Sequence, residues 1–157
     1  RPARLAIEPG RFLVARAGFL VARVLHVRRR NGPMVVLDTG MTELIRPALY
    51  GARHAVVALT SEGRPWPLGR GEHGEGDPVG EEPTAVEGPV CESTDSFGLH
   101  RLPPLRRGDL VAIRDTGAYA ASLGSSYNGR PRPPQVLLEV DGRLTLARPR
   151  GSRTIRG

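Results

Sequence analysis

The stretch that decides the fold is residues 19–38, Phe-Leu-Val-Ala-Arg-Val-Leu-His-Val-Arg-Arg-Arg-Asn-Gly-Pro-Met-Val-Val-Leu-Asp. Its β-branched and apolar residues favour strands, and Asn31-Gly32 between two such runs is typical of the turn in a β-hairpin. We interpret the arginine run 28–30 as the solvated end of the first strand. From this hairpin onward the chain is predicted to be mainly β.

Further short strands are predicted on the C-terminal side of the hairpin. They are residues 54–60, 86–91, 110–114, 136–140 and 144–147. Asp141-Gly142 joins the last two strands as a second hairpin. Between the first two, residues 61–83 contain six glycines and four prolines, which predict a long surface loop, an insertion or a flexible flap.

The N-terminal side of the hairpin has a different pattern. Residues 4–8 predict a short strand that Pro9-Gly10 ends, and residues 11–17 predict a short helix that stops at Gly18. Residues 41–51 predict a helical turn interrupted by Pro47. The expected fold class is therefore mainly β, a sandwich or barrel-like domain of Greek-key type, preceded by a short α/β segment.

Composition limits the class of protein. With 157 residues, 39% of them hydrophobic and 25% charged, the chain has the size and composition of one globular domain. No apolar run reaches the ~20 residues that a membrane helix needs, so we expect no membrane association. The N-terminus carries no apolar signal segment, and the single Cys91 argues against a disulfide framework or a multi-cysteine metal site. We therefore expect a cytoplasmic protein without a metal.

All 23 basic residues are arginine, and the chain contains no lysine. The net charge of +7 would suit a nucleic-acid partner. Aromatic residues make up only 4%, however, and the arginines are spread along the chain, whereas nucleic-acid surfaces cluster their cations and interleave aromatics. We expect no nucleic-acid partner and interpret the arginine usage as a compositional preference of the source genome.

Two short phrases carry groups suited to anions. Glu8-Pro9-Gly10-Arg11 joins a predicted strand end to a predicted helix start, where backbone N–H groups favour a phosphate and Arg11 can reach a second anionic group. Arg46 and Tyr50 are four positions apart, so in a helical turn they share a face that can grip a carboxylate. In isolation, each phrase is equally typical of an ordinary surface turn or of a tyrosine packed on the core.

Two further phrases carry groups that can transfer or position a proton. Cys91-Glu92-Ser93 follows a predicted strand, and a thiol beside acids and hydroxyls is a candidate proton donor, although most lone cysteines are buried and inert. Asp115 to Tyr119 follows another strand, which would leave the Tyr119 hydroxyl at a rim; a buried, hydrogen-bonded tyrosine is the alternative. Residues 127–134 are predicted to form an extended, proline-stiffened segment.

Taken in order, these phrases resemble the C-terminal part of the diaminopimelate decarboxylases, pyridoxal-phosphate enzymes of the alanine-racemase-like fold type. The resemblance covers nearly the whole chain. The matching segments are 8–11, 38–41, 44–51, 88–93, 108–110, 115–119 and 127–133. The chain departs from the family at Thr94, where the family often has glycine, and in the 61–83 stretch, which is longer than expected.

The resemblance implies an N-terminal (β/α)8 barrel that holds pyridoxal phosphate and a C-terminal β domain, in a homodimer whose active sites are shared between subunits. Residues 1–18 would be the end of the barrel, and residues 19–157 the C-terminal β domain. In the family, the lysine that anchors the cofactor lies upstream. Arginine cannot replace that lysine, because its guanidinium stays protonated. We therefore expect this chain to require the barrel portion and to be inactive alone.

The resemblance also implies residue roles. The cofactor phosphate would be contacted by the turn formed by Glu8, Pro9, Gly10 and Arg11. Arg11, together with Arg46 and Tyr50, would bind substrate, and Tyr119 would touch both cofactor and substrate. Cys91 would be the proton donor, entering the partner subunit's site. Glu92 would face the distal ammonium of the substrate.

The expected function is decarboxylation of the small amino acid meso-diaminopimelate to L-lysine, a step of lysine biosynthesis, with pyridoxal phosphate as cofactor. The Cys91-Glu92-Ser93 phrase favours diaminopimelate over ornithine or arginine. Three alternatives stay open from sequence alone. The chain could belong to a paralogous decarboxylase that acts on another amino acid or on a carrier-tethered substrate, it could be a non-catalytic β domain, or it could be a basic nucleic-acid-binding module.

Overall fold

The computed structural model describes residues 3–60, 63–65 and 82–151 of the chain. The described residues form strands in two sheets and a few short helices. The strands are β1 (Leu20–Arg28), β2 (Met34–Leu37), β3 (Val56–Leu59), β4 (Glu82–Glu87), β5 (Ser96–Leu102), β6 (Leu110–Ile113), β7 (Gln135–Leu138) and β8 (Leu144–Arg148). The α-helices are α1 (Arg46–Tyr50) and α2 (Ala120–Leu123), and 3-10 turns span Gly10–Phe12, Ala15–Ala17 and Tyr127–Gly129. The predicted mainly β fold class is confirmed.

The larger sheet has six strands in the order β3-β6-β1-β2-β4-β5. Its neighbours pair antiparallel, except that β2 and β4 run parallel. The edge strands β3 and β5 contact each other, so the sheet curls into a nearly closed barrel. At its centre is the predicted β1–β2 hairpin, in which Asn31 and Gly32 adopt the positive φ angles of 63° and 96° that a tight hairpin turn requires.

The core follows from the alternation of side chains along the strands. In β1, Ala22 and Val24 are buried, whereas Val21 and Arg23, which alternate with them along the strand, are exposed. The largest fully buried apolar side chains are Leu37, Leu44, Ile113, Val24, Val35, Val86 and Val111. Burial of each such side chain contributes about 1.5–3 kcal/mol of hydrophobic stabilisation, which makes the barrel interior a firm base for the loops that carry the functional groups.

The second sheet is the β7–β8 hairpin, which turns at Asp141-Gly142 as predicted. It leaves a group of apolar side chains more than half exposed on this chain: Val136, Leu137, Leu138, Leu144 and Leu146. Among the helices of the described residues, none is long and apolar enough to cross a lipid bilayer.

Two predictions on the N-terminal side were wrong. Residues 4–8 are not a strand, because no strand of the described residues lies alongside to pair with them, and Leu5 and Ile7 are 93% and 78% exposed. Residues 11–17 are not one helix but parts of two separate 3-10 turns. The interruption is at Val14, whose φ and ψ of −129° and −10° are not helical.

Three boundaries also differ from prediction. Pro47 does not interrupt a helix but stands in the first turn of α1, where no intrahelical bond needs the backbone N–H that proline lacks. The strand predicted at 86–91 is β4, which lies earlier, because Gly88-Pro89 ends the ladder. The strand predicted at 136–140 is β7 and ends at Leu138. β5 was missed, because Gly98 and His100 interrupt its apolar pattern.

The predicted 61–83 loop lies largely outside the described residues, which omit 61–62 and 66–81. Pro65 forms an isolated bridge with Leu59, and residues 82 and 83 already belong to β4.

Candidate functional site

Four arginines meet at one surface pocket with a volume of about 440 Å³. Its charged and titratable lining residues are Arg11, Arg16, Arg46, Arg53, His54 and Asp115. Since four arginines and one aspartate are among its lining residues, the pocket favours an anionic ligand. Arg11 and Arg46 were identified from sequence, whereas Arg16, Arg53 and His54 were not.

Helix α1 carries two of the predicted site residues. Pro47 lies in its first turn, and Gly51 ends it in the left-handed conformation with a φ of 60°. Arg46 is 9% exposed, and its guanidinium carbon lies 5.6 Å from the ring centroids of both Tyr50 and Tyr119. These cation–π contacts hold a buried guanidinium group beside two tyrosine rings at the pocket.

The Glu8–Arg11 phrase forms an exposed turn next to Tyr119. Gly10 has a φ of 49°, and the Phe12 N–H donates to the carbonyl of Pro9 over 3.0 Å. A Cβ placed on Gly10 would lie 3.6 Å from the Tyr119 hydroxyl oxygen. Tyr119 is 45% exposed, so its hydroxyl lies at a rim, as expected, and not in the core.

A close backbone approach holds this N-terminal segment against the loop after β6. The Gly117 N–H donates to the carbonyl of Ala15, and the Thr116 N–H donates to that of Gly18, each over 3.0 Å. A Cβ on Gly117 would lie 1.9 Å from the carbonyl oxygen of Val14, and one on Gly18 would lie 2.3 Å from Gly117. Only glycine fits at either position, and this fit brings the turn of Arg11 close to Tyr119.

Replacing Gly117 with alanine should therefore destabilise the chain and separate these two segments. Overpacking of this kind costs about 1–3 kcal/mol, and here the clash is with backbone that cannot rotate away. Urea unfolding followed by circular dichroism measures the loss. Gly124→Ala is the control, because its new Cβ would come no closer than 3.3 Å to its nearest neighbour. Equal midpoints for the two variants would contradict the prediction.

Cys91 and Glu92 lie on the exposed loop between β4 and β5. The Tyr127 hydroxyl donates to Glu92 Oε1 over 2.7 Å. This hydrogen bond to Glu92, together with the negative charge of its carboxylate, raises the pKa of Tyr127, so the phenol stays a proton-bearing donor. The arginine pocket is not lined by Cys91 or Glu92. The structure thus brings Arg46 together with Tyr50 and Tyr119 and places Arg11 and Arg46 in the lining of one pocket.

The sequence analysis gave no role to Asp95, which is 2% exposed. Its Oδ1 accepts the Met41 N–H over 2.6 Å, and its Oδ2 accepts the Val90 N–H over 2.7 Å. Burial raises the pKa of Asp95, and the two backbone N–H groups oppose that rise. One buried carboxylate thus joins the loop after β2 to the loop that carries Cys91.

A second buried acid, Glu43, was also missed. Its Oε2 accepts the Gly40 N–H over 2.9 Å, and its Oε1 lies 3.4 Å from Nε of Arg130. Arg130 Nε also donates to the Thr42 hydroxyl over 3.1 Å. This network ties the 127–133 segment to the loop before α1. A buried charge needs partners that offset the free-energy cost of its desolvation. The signal in the sequence was the single acid in the segment Thr42-Glu43-Leu44.

The chain is similar to known proteins in sequence and in fold. Residues 12–117 match the family model described as pyridoxal-dependent decarboxylase, C-terminal sheet domain. The chain is 43% identical over 157 residues to the diaminopimelate decarboxylase of Streptomyces coelicolor, covering 92% of this chain and 32% of that protein. It is 41% identical over 158 residues to the diaminopimelate decarboxylase of Escherichia coli, covering 95% of this chain and 35% of that protein.

A solved structure is similar as well. The crystal structure of diaminopimelate decarboxylase from Helicobacter pylori complexed with L-lysine superposes with a TM-score of 0.75 at 37% identity, covering 93% of this chain and 32% of that one. The chain thus spans about a third of the length of the curated relatives it matches. By its family match, the chain belongs to the pyridoxal-dependent decarboxylases and contains their C-terminal sheet domain.

Proposed function

We propose that this chain is the C-terminal part of a pyridoxal-phosphate-dependent decarboxylase that converts meso-diaminopimelate to L-lysine and carbon dioxide. Its similarity to diaminopimelate decarboxylases over most of its length supports this proposal. Those relatives are about three times longer than this chain, so the remaining catalytic parts belong to a further portion of the enzyme. On this proposal the chain is inactive alone.

The pocket of Arg11 and Arg46 is the observation that carries the proposal. Diaminopimelate keeps one carboxylate after decarboxylation, at the end distant from the reacting carbon. A guanidinium fork pairs with a carboxylate through two parallel hydrogen bonds, and the pocket combines Arg11 with the buried Arg46. Tyr50, in contact with Arg46, adds a hydroxyl for the same substrate end. Glu92 supplies the negative charge that pairs with the distal ammonium.

The residues present fit the phosphate end of the cofactor. The turn of Glu8, Pro9, Gly10 and Arg11 is exposed, with Gly10 in a left-handed conformation and the Tyr119 hydroxyl nearby. Backbone N–H groups, a guanidinium and a phenol are the donors that a phosphate needs. The chain contains no lysine, so the covalent anchor comes from the barrel portion.

Pyridoxal phosphate supplies an electron sink for the substrate's α-carbon when carbon dioxide leaves. Cys91 would then donate its thiol proton to that carbon, where the electron pair of the broken C–C bond forms the new C–H bond, and the thiolate would regain a proton from solvent. Arg11 and Arg46 hold the distal carboxylate before and during the reaction. They therefore contribute substrate binding and specificity more than rate.

We also propose the domain division, the assembly and the location of the enzyme. Residues 1–18 form the end of the barrel and residues 19–157 the C-terminal domain; the exposed Leu5, Ile7 and Phe12 support a partner surface in the barrel. Cys91 and Glu92 act in the partner subunit's site of a homodimer, which is consistent with their absence from the lining of the arginine pocket. We place the enzyme in the cytoplasm.

The proposal is tested with the full-length enzyme that contains this chain. Purified with pyridoxal phosphate, it should release carbon dioxide and form L-lysine from meso-diaminopimelate, and should do so far faster than it acts on L-ornithine or L-arginine. The chain on its own, at the same concentration, should release no carbon dioxide. An inactive full-length enzyme, or a preference for ornithine or arginine, would overturn the proposal.

Replacing Tyr127 with phenylalanine should raise KM for meso-diaminopimelate and leave kcat nearly unchanged. Tyr127 donates to Glu92 Oε1, so its loss frees the carboxylate that faces the distal ammonium. The expected rise is small, about two- to threefold, because the hydrogen bond is exposed and water can replace the lost donor. Steady-state kinetics measure it, with Ser126→Ala as the neighbouring control. A fall in kcat at constant KM would contradict this role.

A further inference from the structure

We propose that Asp95 is a positioning residue: its carboxylate fixes the loop of Cys91 and Glu92 relative to the segment that leads to Arg46. The inference rests on the proposed function, in which Cys91 donates the proton. Asp95 touches neither substrate nor cofactor on this proposal and acts through the backbone of two loops. Its effect on the reaction is therefore the placement of other groups.

The two oxygens of Asp95 bind two separate segments of the chain. Oδ1 accepts the N–H of Met41, in the loop between β2 and α1, and Oδ2 accepts the N–H of Val90, directly before Cys91. The distances of 2.6 and 2.7 Å are short for hydrogen bonds that a backbone N–H donates to an oxygen. Because the carboxylate is almost fully buried, water cannot replace it as the acceptor.

The backbone around Asp95 closes the Cys91 loop into a fixed turn. The Gly88 N–H donates to the Asp95 carbonyl over 2.7 Å, and the Asp95 N–H donates to the Glu92 carbonyl over 3.1 Å. The Glu92 N–H in turn donates to the Val90 carbonyl over 2.8 Å. The residues on both sides of Cys91 therefore make hydrogen bonds to Asp95 or to each other. The side chain of Cys91 itself is exposed.

The space around the carboxylate leaves no tolerance for a shifted or longer acid. A Cβ on Gly88 would lie 2.1 Å from Asp95 Oδ1, and one on Gly40 would lie 2.2 Å from the same oxygen. The backbones of Gly40 and Gly88 thus pack directly against the carboxylate. The neighbouring charges are Glu43 and Arg130, which act on Asp95 in opposite directions, so the site depends on the hydrogen bonds rather than on a net local charge.

The Met41 end of this bridge leads to the substrate-binding helix. The Gly40 carbonyl accepts the N–H groups of Glu43 and Leu44 over 3.1 and 2.9 Å, which continues the ordered backbone toward α1. A displacement of the Cys91 loop is therefore resisted by the same segment that positions Arg46. The rate of proton transfer depends steeply on the distance between the donor and the carbon that accepts the proton. A misplacement of about 1 Å can lower the rate on the order of 10²-fold.

Asp95→Asn in the full-length enzyme tests the inference. Asparagine keeps the size but offers one acceptor oxygen, so either the Met41 or the Val90 N–H loses its partner and should exchange with solvent deuterium about tenfold faster. We expect kcat to fall about tenfold at nearly constant KM. In the double variant, Asp95→Asn should cause no further loss of kcat beyond the loss caused by Cys91→Ala alone. Asp109→Asn is the control, because Asp109 also accepts a backbone N–H, that of Arg106 over 2.7 Å, in a turn remote in sequence from both loops.

Each outcome decides a separate point. Faster exchange together with a non-additive kcat loss supports the inference. Unchanged exchange at Met41 and Val90 overturns it, and so does an additive loss in the double variant, which would mean that Asp95 affects the fold generally. If the unmodified full-length enzyme fails to act on meso-diaminopimelate, the proposed function fails, whereas the exchange measurement still shows whether Asp95 holds the Cys91 loop.

Discussion

Replacing Cys91 with alanine is expected to lower kcat of the full-length enzyme for meso-diaminopimelate by about 10²–10⁴-fold, the range that a positioned proton donor contributes. KM should stay close to its original value, because on the proposed mechanism Cys91 acts on the reacting carbon after the substrate is bound. The chain contains no second cysteine, so no other thiol of this segment can take over. Single-turnover release of carbon dioxide and formation of L-lysine, measured separately, show which step slows.

The structure offers a matched control in the same loop. Ser93 is two residues away and exposed, and Ser93→Ala should leave kcat within a factor of about two. Since Cys91 is exposed and its side chain is not part of the core, Cys91→Ala should also fold normally, and circular dichroism checks this. A Cys91→Ala enzyme with kcat close to that of Ser93→Ala would remove Cys91 from the reaction.

Replacing Arg46 with methionine is expected to raise KM for meso-diaminopimelate by roughly 10–100-fold, the equivalent of losing hydrogen bonds to a charged group. The change in kcat should be small, since the carboxylate is held equally before and during the reaction. Arg46→Lys should recover only part of the loss, because the ammonium lacks the planar fork and stacks less well on Tyr50 and Tyr119. Steady-state kinetics on the three enzymes distinguish these effects.

The control for Arg46 removes the same charge at another place. Arg30 lies in the exposed turn of the β1–β2 hairpin and is not part of the arginine pocket, so Arg30→Met should leave KM unchanged within about twofold. Thermal unfolding of both variants separates a binding effect from a loss of structure, because Arg46 also packs against two rings. Equal KM values for Arg46→Met and Arg30→Met would exclude Arg46 from substrate binding.

Much of the fold could be predicted from local sequence. The β1–β2 hairpin follows from Asn31-Gly32 between two apolar runs, and the β7–β8 hairpin follows from Asp141-Gly142, because turn residues between two apolar runs mark both neighbouring strands. β5 could not be found in this way. Its residues Ser96–Leu102 gain their strand conformation from pairing with β4, which is a tertiary interaction that the local pattern does not report.

The candidate site was only partly predictable for a related reason. Arg46 and Tyr50 could be paired because a helical turn brings residues four apart together, but the contact of Arg46 with Tyr119 joins positions far apart in the chain. Asp95 and Glu43 are ordinary acids in the sequence, and only their burial beside backbone N–H groups shows their importance. On the proposed assembly, the pocket and the Cys91 loop of one chain serve different sites, and local sequence patterns do not encode such an assembly.

The bridge formed by Asp95 also predicts how the sequence can drift over evolutionary time. Gly40, Gly88 and Asp95 occupy one tightly shared space, so a substitution at any of the three should be tolerated only with compensating changes at the other two. An alignment of many homologues should therefore show these positions varying together or not at all. At the adjacent Thr94, which is exposed, exchange with the glycine that the family often has should need no change at these three positions, and this contrast would separate a constraint of geometry from a general constraint on the loop.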